Sequence, residues 1–525
     1  MMAAHFDLII ENGRVVDGTG NPWYRAQVGI TGDRITAIGD LRDAAAERRI
    51  DAHDHIVAPG FIDPLHNGEV GVLSSPDPHF AVHQGVTTVI VGNCGVSAAP
   101  IAPAQREAFR HHSFFKTGSH NVPWTWSTLA EYFDHVSGAT SVNVASMIGF
   151  DNLWVSVKGY TPGPAIPQEL DQMKTMAAQA MDDGAVGLSH GAGAASLWST
   201  HAEVVEVAQV IGTKGGVYCA HGRGIEGDDL LSPYRESIAV GVEANVPVHF
   251  LHFRTGDLRQ LGKAREMMSV VDEARVAGQD VTVASYPYTP GGGGLRVPAW
   301  AEEGGPEAIL ARLRDPEIRT KIVADWDRLW NWESRIASTT TAKNRWCEGK
   351  TLKEIGAVTG KSVGEVICWL IEEENLGVEA THYLGDEDDV RLIMTHPAHM
   401  ACSDAQYSGD FLHPRAYGSY PRYLGHYVRE LGILRLEDCV RRMTAFPAQR
   451  MGLDDRGLIK VGMAADVVVF DADTIIDRAT YESPRHYPPG IDAVLVNGTV
   501  VVEAGAYSGL TPGRPVRRRR LELTR

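Results

Sequence analysis

The chain has 525 residues, of which 44% are hydrophobic and 22% are charged, and its formal net charge at pH 7 is -17. This composition is typical of a soluble globular protein with one large domain and a smaller one, and it excludes an intrinsically disordered chain. The negative charge argues against a nucleic-acid-binding surface, and no apolar run reaches the roughly 18 residues that a membrane helix needs.

The two termini and the cysteines indicate a cytoplasmic protein. Residues 1–7 lack the apolar core of a signal peptide. Six cysteines in so long a chain do not form a disulfide framework, so each is expected to be a small buried hydrophobe or a ligand. The basic run Arg517 to Arg520 follows a segment rich in proline and glycine and is expected to be a solvated terminus.

Both ends of the chain show the pattern of short antiparallel strands. Residues 6–56 alternate apolar and polar side chains around glycine-rich turns, and residues 457–502 repeat this pattern. We therefore predict a small β-sandwich domain built from both chain ends, residues 1–57 and residues 454–525.

The middle of the chain, residues 58–453, alternates apolar strands with helical stretches, which predicts a parallel sheet. Eight strands are predicted, the number that closes an α/β fold into a (β/α)8 TIM-like barrel. The predicted strands are residues 58–65, 85–92, 142–149, 185–189, 216–221, 246–252, 281–286 and 399–404. The clearest helical periodicity lies in residues 167–183, 201–213, 259–277 and 363–374.

Two connections, residues 93–141 and 287–398, are unusually long and are expected to cover a functional site. The second contains the run Gly291–Gly294. Because this run lacks the lysine and the hydroxyl residue of a phosphate loop, we expect a flexible loop there.

Several predicted strands end in a residue that can hold a metal ion or a proton: Cys94, His221, His252 and Asp404. A thiolate and two imidazoles are good zinc ligands that leave a fourth position open for water. An aspartate beside such water can serve as general base and then as general acid. A single cysteine or histidine is more often a packed core residue, so the recurrence at strand ends carries the argument.

Strand alternation predicts where the histidines point. Side chains alternate along a strand, so Cys219 and His221 share one face, while Phe250 and His252 point away from His249. We therefore expect His249 on the helix-facing side of its strand.

Several segments together resemble the D-aminoacylase group of the amidohydrolase superfamily, the N-acyl-D-amino-acid deacylases. The resemblance covers nearly the whole chain. It rests on Pro59–Asp63, Thr87–Ser97, the two strand-end histidines, Tyr286–Thr289, Ser403-Asp404, His413–Gly418 and Met443–Ala448.

The resemblance implies one tightly bound Zn²⁺ held by Cys94, His221 and His252, with Asp404 as the catalytic aspartate. It also implies a pocket for a substrate carboxylate. Three residues match positions near that pocket, and the alternative for them is a structural ion pair: Arg254, Tyr288 and Arg415.

The chain departs from the family pattern at Leu65 and Asn67, where the family has a pair of metal-binding histidines, and at Phe150, where it has a histidine after the third strand. Residues 63, 65 and 67 point the same way along a strand, so His66 is expected to point away from the barrel mouth. The expected outcome is a site with a single zinc ion.

These observations predict a zinc-dependent amidohydrolase that converts an N-acyl-D-amino acid into a carboxylate and a free D-amino acid. One alternative is a divergent amidohydrolase acting on a cyclic amide or a specialised metabolite. Another is a catalytically silent barrel used as a binding subunit. We expect a small-molecule substrate and neither a nucleic-acid nor a membrane partner, and the sequence leaves the oligomeric state open.

Overall fold

A computed structural model describes residues 5–74, 79–113, 122–191, 193–222, 229–255, 260–329, 333–383, 385–407 and 409–518. Within these ranges no helix has the length and apolar character needed to span a lipid bilayer. Of the predicted solvated terminus, Arg517 is exposed, Arg518 is half-buried, and Arg519 and Arg520 lie outside the described residues.

Strands from both chain ends share one seven-stranded sheet. The pairing centres on Ile56–Pro59, which lies antiparallel to Val467–Phe470 and parallel to Arg14–Val15. Its other strands are Tyr24–Arg25, Ile491–Val496, Thr499–Glu503 and Ala506–Tyr507. A second, four-stranded sheet contains His5–Glu11, Gln27–Thr31, Arg34–Gly39 and Ala45–Asp51. Buried aliphatic side chains from both sheets, among them Ile10, Val28 and Val469, form one cluster between them.

The central strands all pair in parallel and lie inside the predicted ranges to within about a residue, except that the predicted strand 142–149 is divided between two sheets. One sheet contains Phe61–Asp63, Val86–Val91 and Asn143–Ser146. The other contains Ile148–Gly149, Gly187–His190, Val217–Ala220, Val248–Phe250, Val281–Ser285 and His399–Ala401. Two further segments, His66–Asn67 and Ala405–Gln406, follow the first and last of these strands and pair in parallel with each other.

The helices that follow these strands begin and end at local signals. Pro167–Asp183 starts with proline in its first turn, and Gly184, with φ of 113°, ends it in the left-handed region. His201–Thr213 is capped reciprocally by Thr200 and Glu203. The other helices of this layer are Phe150–Lys158, Ser232–Ala244, Ala264–Val276, Glu387–Thr395 and Arg415–Arg422, which continues as a π-helix over Tyr423–Glu430. Further helices are Arg106–His112, Leu129–Val136, Ala194–Trp198, Leu436–Met443 and Ala445–Met451.

The predicted first barrel strand, residues 58–65, is divided at Gly60. Residues 58 and 59 belong to the seven-stranded sheet, and only Phe61–Asp63 joins the parallel sheet. Glycine is needed at the division because a Cβ atom at Gly60 would lie 2.2 Å from Oγ1 of Thr87. An apolar run does not reveal this change of sheet, since both halves are buried.

The long connection 287–398 contains a small insertion with its own hydrophobic core, to which Leu313, Ile336 and Ile367 contribute. Its antiparallel sheet consists of Gly291–Gly294, Glu379–His382 and Arg335–Ser338. Its helices are Gly305–Arg314, Pro316–Leu329, Leu352–Thr359 and Val363–Glu373.

The expectation of a flexible loop at Gly291–Gly294 is wrong, because this run is an edge strand of the insertion. It pairs with Glu379–His382. Backbone hydrogen bonding to a neighbouring strand fixes the conformation even where glycine gives no side-chain contacts.

The expected orientation of His249 is also wrong. Phe250 packs on the ring of Tyr234 in the helix layer, with centroids 5.2 Å apart, so the adjacent His249 faces the interior of the parallel sheet. There its Nδ1 atom is 2.9 Å from the Thr282 hydroxyl. Strict alternation fails because the strand ends at Phe250 and the chain turns at His252, where φ is 29°.

The burial of His249 generates a prediction about acid stability. Burial, together with the positive charge of Arg450, lowers the pKa of His249 to about 3. As the pH falls, the unfolded chain therefore takes up a proton at His249 before the folded protein does. The stability that depends on a neutral His249 is fully present above pH 6.5 and is lost as the pH falls toward the folded-state pKa. The unfolding free energy should decrease between pH 7 and pH 5, and we expect this decrease to be about 1–2 kcal/mol smaller in His249→Asn than in the parent. Urea denaturation at several pH values measures this, and an unchanged pH dependence in the variant would contradict it.

Candidate metal and catalytic site

Three strand-end side chains, Cys94, His221 and His252, converge in the structure. Their ligand atoms all lie within 4.8 Å of one another, and each residue is half-buried. Sγ of Cys94 is 3.2 Å from Nε2 of His252, and the two imidazole rings meet edge to face with centroids 4.3 Å apart. In a tetrahedral zinc site, bond lengths of about 2.0 and 2.3 Å place sulfur and nitrogen ligands about 3.5 Å apart. The donor set and its spacing therefore fit a zinc-like metal ion.

The backbone at this site has an unusual conformation. Cys94, His252 and Asp404 have φ values of 52°, 29° and 51°. Positive φ costs a residue with a side chain on the order of 1–3 kcal/mol, so surrounding contacts must hold these turns in place. The turns redirect each side chain just after its strand has ended.

Buried side chains hold the loop that carries Cys94. Three backbone N–H groups of this loop donate hydrogen bonds to side chains from neighbouring elements. The pairs are Gly92 with the Glu69 carboxylate at 3.0 Å, Gly95 with the Ser189 hydroxyl at 3.1 Å, and Ser97 with the Asn152 amide oxygen at 2.8 Å. These bonds fix the loop independently of any metal ion.

Asp404 is held at both carboxylate oxygens. Nδ2 of Asn67 donates to Oδ1 at 2.6 Å, and Nη1 of Arg415 lies 2.7 Å from Oδ2. Arg415 is only 1% exposed. Burial alone would lower the pKa of its guanidinium, but Asp404, Tyr286 and Cys402 together outweigh this effect, and the pKa is raised. The guanidinium therefore stays charged beside the carboxylate.

A second buried carboxylate, Asp63, organises the same end of the sheet. It accepts hydrogen bonds from the backbone N–H and the hydroxyl of Ser403, the former at 3.0 Å. Nδ1 of His66 is 2.9 Å from Asp63, and Nε2 is 2.8 Å from the hydroxyl of Tyr407. The ring of His66 thus lies in this network, while the neighbouring Asn67 reaches Asp404.

Apolar side chains occupy the other positions where the chain departs from the family pattern. Leu65 is fully buried in the cluster that lines the interior of the parallel sheet, against which Cys94 also packs. Phe150 is buried and meets the ring of His190 edge to face, with centroids 5.0 Å apart. Neither side chain can bind a metal ion.

The three predicted carboxylate-pocket residues have different surroundings. The guanidinium groups of Arg254 and Arg415 lie 5.7 Å and 4.7 Å from the ring centroid of Tyr286. Arg254 also donates to the carbonyl oxygen of Thr289 at 3.2 Å and lines a small cavity with Tyr286 and Tyr288.

Tyr288 is engaged from the C-terminal part of the chain. Its hydroxyl donates to Oδ2 of Asp477 at 3.0 Å, and Asp477 also pairs with Arg422 at 3.4 Å. Burial raises the pKa of Tyr288 well above its ordinary value, so the hydroxyl remains a hydrogen-bond donor.

The contacts of Tyr286 and Asp477 and the partner of Asn67 are not predicted from the sequence. The motif Tyr286–Thr289 was a usable signal for Tyr286, because it follows a predicted strand directly. Asp477 and the Asn67–Asp404 bond have no local signal, since each joins segments far apart in the chain.

The chain is similar to known proteins along nearly its whole length. The family model described as "Amidohydrolase family" matches residues 48–502. The chain is 34% identical to the D-aminoacylase of Alcaligenes xylosoxydans xylosoxydans over 521 residues and 35% identical to that organism's N-acyl-D-glutamate deacylase over 519 residues, covering 98% of each chain in both cases. It is also similar to the crystal structure of N-acyl-D-glutamate deacylase from Bordetella bronchiseptica complexed with zinc and a phosphonate inhibitor. That match has a TM-score of 0.84 at 31% identity and covers 98% of this chain and 100% of the other.

The ligand geometry predicts how metal content responds to mutation. We expect Cys94→Ser to lower the metal bound per chain at least tenfold, because serine replaces a soft anionic thiolate with a neutral hydroxyl. Mass spectrometry of extensively dialysed protein measures the metal content. Cys368→Ala, in the core of the insertion, is the matched control and should retain the metal. Full metal content in Cys94→Ser would exclude Cys94 as a ligand.

Proposed function

The chain belongs to the amidohydrolase family, and we propose that it hydrolyses the amide bond of an N-acyl-D-amino acid to a carboxylate and a free D-amino acid. The predicted family and the predicted enzyme class, a metal-dependent hydrolase of C–N bonds, are confirmed, and the fold is TIM-barrel-based like that of its relatives. One observation carries the proposal: a cysteine and two histidines converge at strand ends in a chain similar to a D-aminoacylase and an N-acyl-D-glutamate deacylase along nearly its whole length.

The proposed cofactor is one zinc ion held by Cys94, His221 and His252. When bound, the ion supplies a Lewis acid that polarises the amide carbonyl and lowers the pKa of water from 15.7 to about 7. We propose a single ion because Leu65 and Asn67 offer no imidazole at the positions where the family holds a second one. The zinc-containing structure of the Bordetella deacylase supports the choice of metal.

Asp404 is the proposed general base and general acid. Its carboxylate takes a proton from the attacking water as the water oxygen bonds to the carbonyl carbon, and returns that proton to the nitrogen as the C–N bond breaks. Arg415 keeps a positive charge beside the carboxylate throughout.

Arg254 is the proposed partner of the substrate carboxylate. A guanidinium donates two parallel hydrogen bonds to a carboxylate, and Arg254 lies two residues after the proposed ligand His252. Arg415 is already paired with Asp404, and the Tyr288 hydroxyl is bonded to Asp477. These two residues are therefore proposed to shape the pocket around the carboxylate.

The proposed architecture is a closed eight-stranded barrel over residues 58–453, with a sandwich domain formed by residues 1–57 and 454–525. Closure is supported by the parallel pairing of His66–Asn67 with Ala405–Gln406, which joins the first strand to the last. The pairing of Ile56–Pro59 with Val467–Phe470 supports a sandwich built from both chain ends.

Turnover of paired enantiomers tests the proposed reaction. We expect release of free amino acid from N-acyl-D-amino acids and not from their L counterparts. Asp404→Asn should lower kcat about 10²- to 10⁴-fold, because an amide cannot take up the proton. The control is Asp388→Asn, whose side chain is 92% exposed. A zinc-loaded enzyme that turns over neither enantiomer would instead favour a cyclic amide or a specialised metabolite as substrate, or a silent barrel.

The proposed role of Arg254 predicts a separation of KM from kcat. Arg254→Met keeps most of the side-chain length but removes the charge, and we expect KM to rise about 10- to 100-fold with kcat changed far less, since a charged hydrogen bond contributes about 1.5–3 kcal/mol. Arg42→Met, at a side chain that is 78% exposed, is the control. An unchanged KM for Arg254→Met would remove this residue from the substrate site.

A further inference from the structure

Asn67 and Asp404 are brought together by the backbone as well as by their side chains. The N–H of Asp404 donates to the carbonyl oxygen of Leu65 at 2.9 Å, and the following residues pair in parallel, with Gln406 opposite Asn67. The Asn67 side chain is 4% exposed, and that of Asp404 is nearly as buried. The hydrogen bond of 2.6 Å between them therefore forms in a largely water-excluded environment, where such bonds are strong.

The chemistry of the pair fixes the orientation of the amide. An ionised carboxylate only accepts hydrogen bonds, so the NH₂ group of Asn67 faces Asp404. Among the described residues the amide oxygen has no hydrogen-bond partner, although it is buried. An amide held in this way supplies a donor without carrying a charge or exchanging a proton.

Asn67 and Arg415 together restrict the Asp404 carboxylate. The final torsion of an aspartate side chain is broad, so one contact leaves the carboxylate free to turn. Here one oxygen is bound by Asn67 and the other is paired with Arg415, and this fixes the plane of the group.

We propose that Asn67 is a positioning residue, which orients Asp404 for proton transfer by a hydrogen bond from the position where the family has a metal-binding histidine. The proposal rests on the proposed amide hydrolysis. The departure from the family pattern at this position thus has a catalytic purpose. The amide of Asn67, just after the first strand, holds the catalytic aspartate directly.

Two substitutions at Asn67 test the role. Asn67→Asp has nearly the same shape but removes the donor and places a second negative charge beside Asp404, while Asn67→Leu removes the donor without adding charge. We expect each to lower kcat about 10- to 100-fold, because small misplacements of catalytic groups have effects of that size. KM should stay within about twofold, and the zinc content should be unchanged. Asn21→Asp, at an exposed asparagine, is the control.

Each result decides the proposal. An unchanged kcat in a folded variant overturns it, and so does a loss of zinc in proportion to kcat, which would make Asn67 a metal ligand. If one variant fails to fold, the other gives the result. A crystal structure of the zinc-loaded parent decides it without activity: Nδ2 of Asn67 within 3.2 Å of Asp404 supports the proposal, and an Asn67 turned away overturns it. If the parent turns over no N-acyl-D-amino acid, the proposed function fails, while this structure still reports on Asn67.

Discussion

The Asp63 carboxylate joins the first and last strands of the parallel sheet, and the geometry of the site depends on this connection. Asp63 lies at the end of the first strand and binds both the backbone and the hydroxyl of Ser403, the residue before Asp404. His66 closes the network from the other side. Hydrogen bonds to a buried charge contribute about 1.5–3 kcal/mol each, so the two chain segments are held firmly in register. The meeting of Asn67, four residues after Asp63, with Asp404, one residue after Ser403, follows from that register.

The site combines rigid support with backbone conformations that are intrinsically unfavourable. Cys94, His252 and Asp404 all have positive φ, and each lies in a turn whose neighbours are hydrogen-bonded to other strands or to buried side chains. Metal ligands and a proton-transfer group need fixed positions more than they need local stability. The surrounding fold stabilises these turns, and the proposed metal ligands are therefore already close together before a metal ion binds.

Features that depend on local pattern could be predicted from the sequence, and features that depend on distant contacts could not. The helices Pro167–Asp183 and His201–Thr213 match their periodicity, and the convergence of Cys94, His221 and His252 follows because parallel strands end at the same edge of a sheet. The break at Gly60 and the inward-facing His249 depend on neighbouring elements. The bond from Asn67 to Asp404 joins residues 337 positions apart, and no short motif encodes it.

The glycine strand of the insertion, Gly291–Gly294, lies against Arg254 and Arg415. A Cβ atom at Gly291 would lie 2.1 Å from a guanidinium nitrogen of Arg254, and one at Gly292 would lie 3.2 Å from Arg415. A side chain at either position would therefore displace the guanidinium group that lies against it. The strands of the parallel sheet lead to the proposed metal ligands and to Asp404, while an insertion with a separate core borders Arg254 and Arg415. In evolutionary terms, changes in the insertion can alter the space around Arg254 and Arg415 while the strands that lead to Cys94, His221 and His252 remain unaltered.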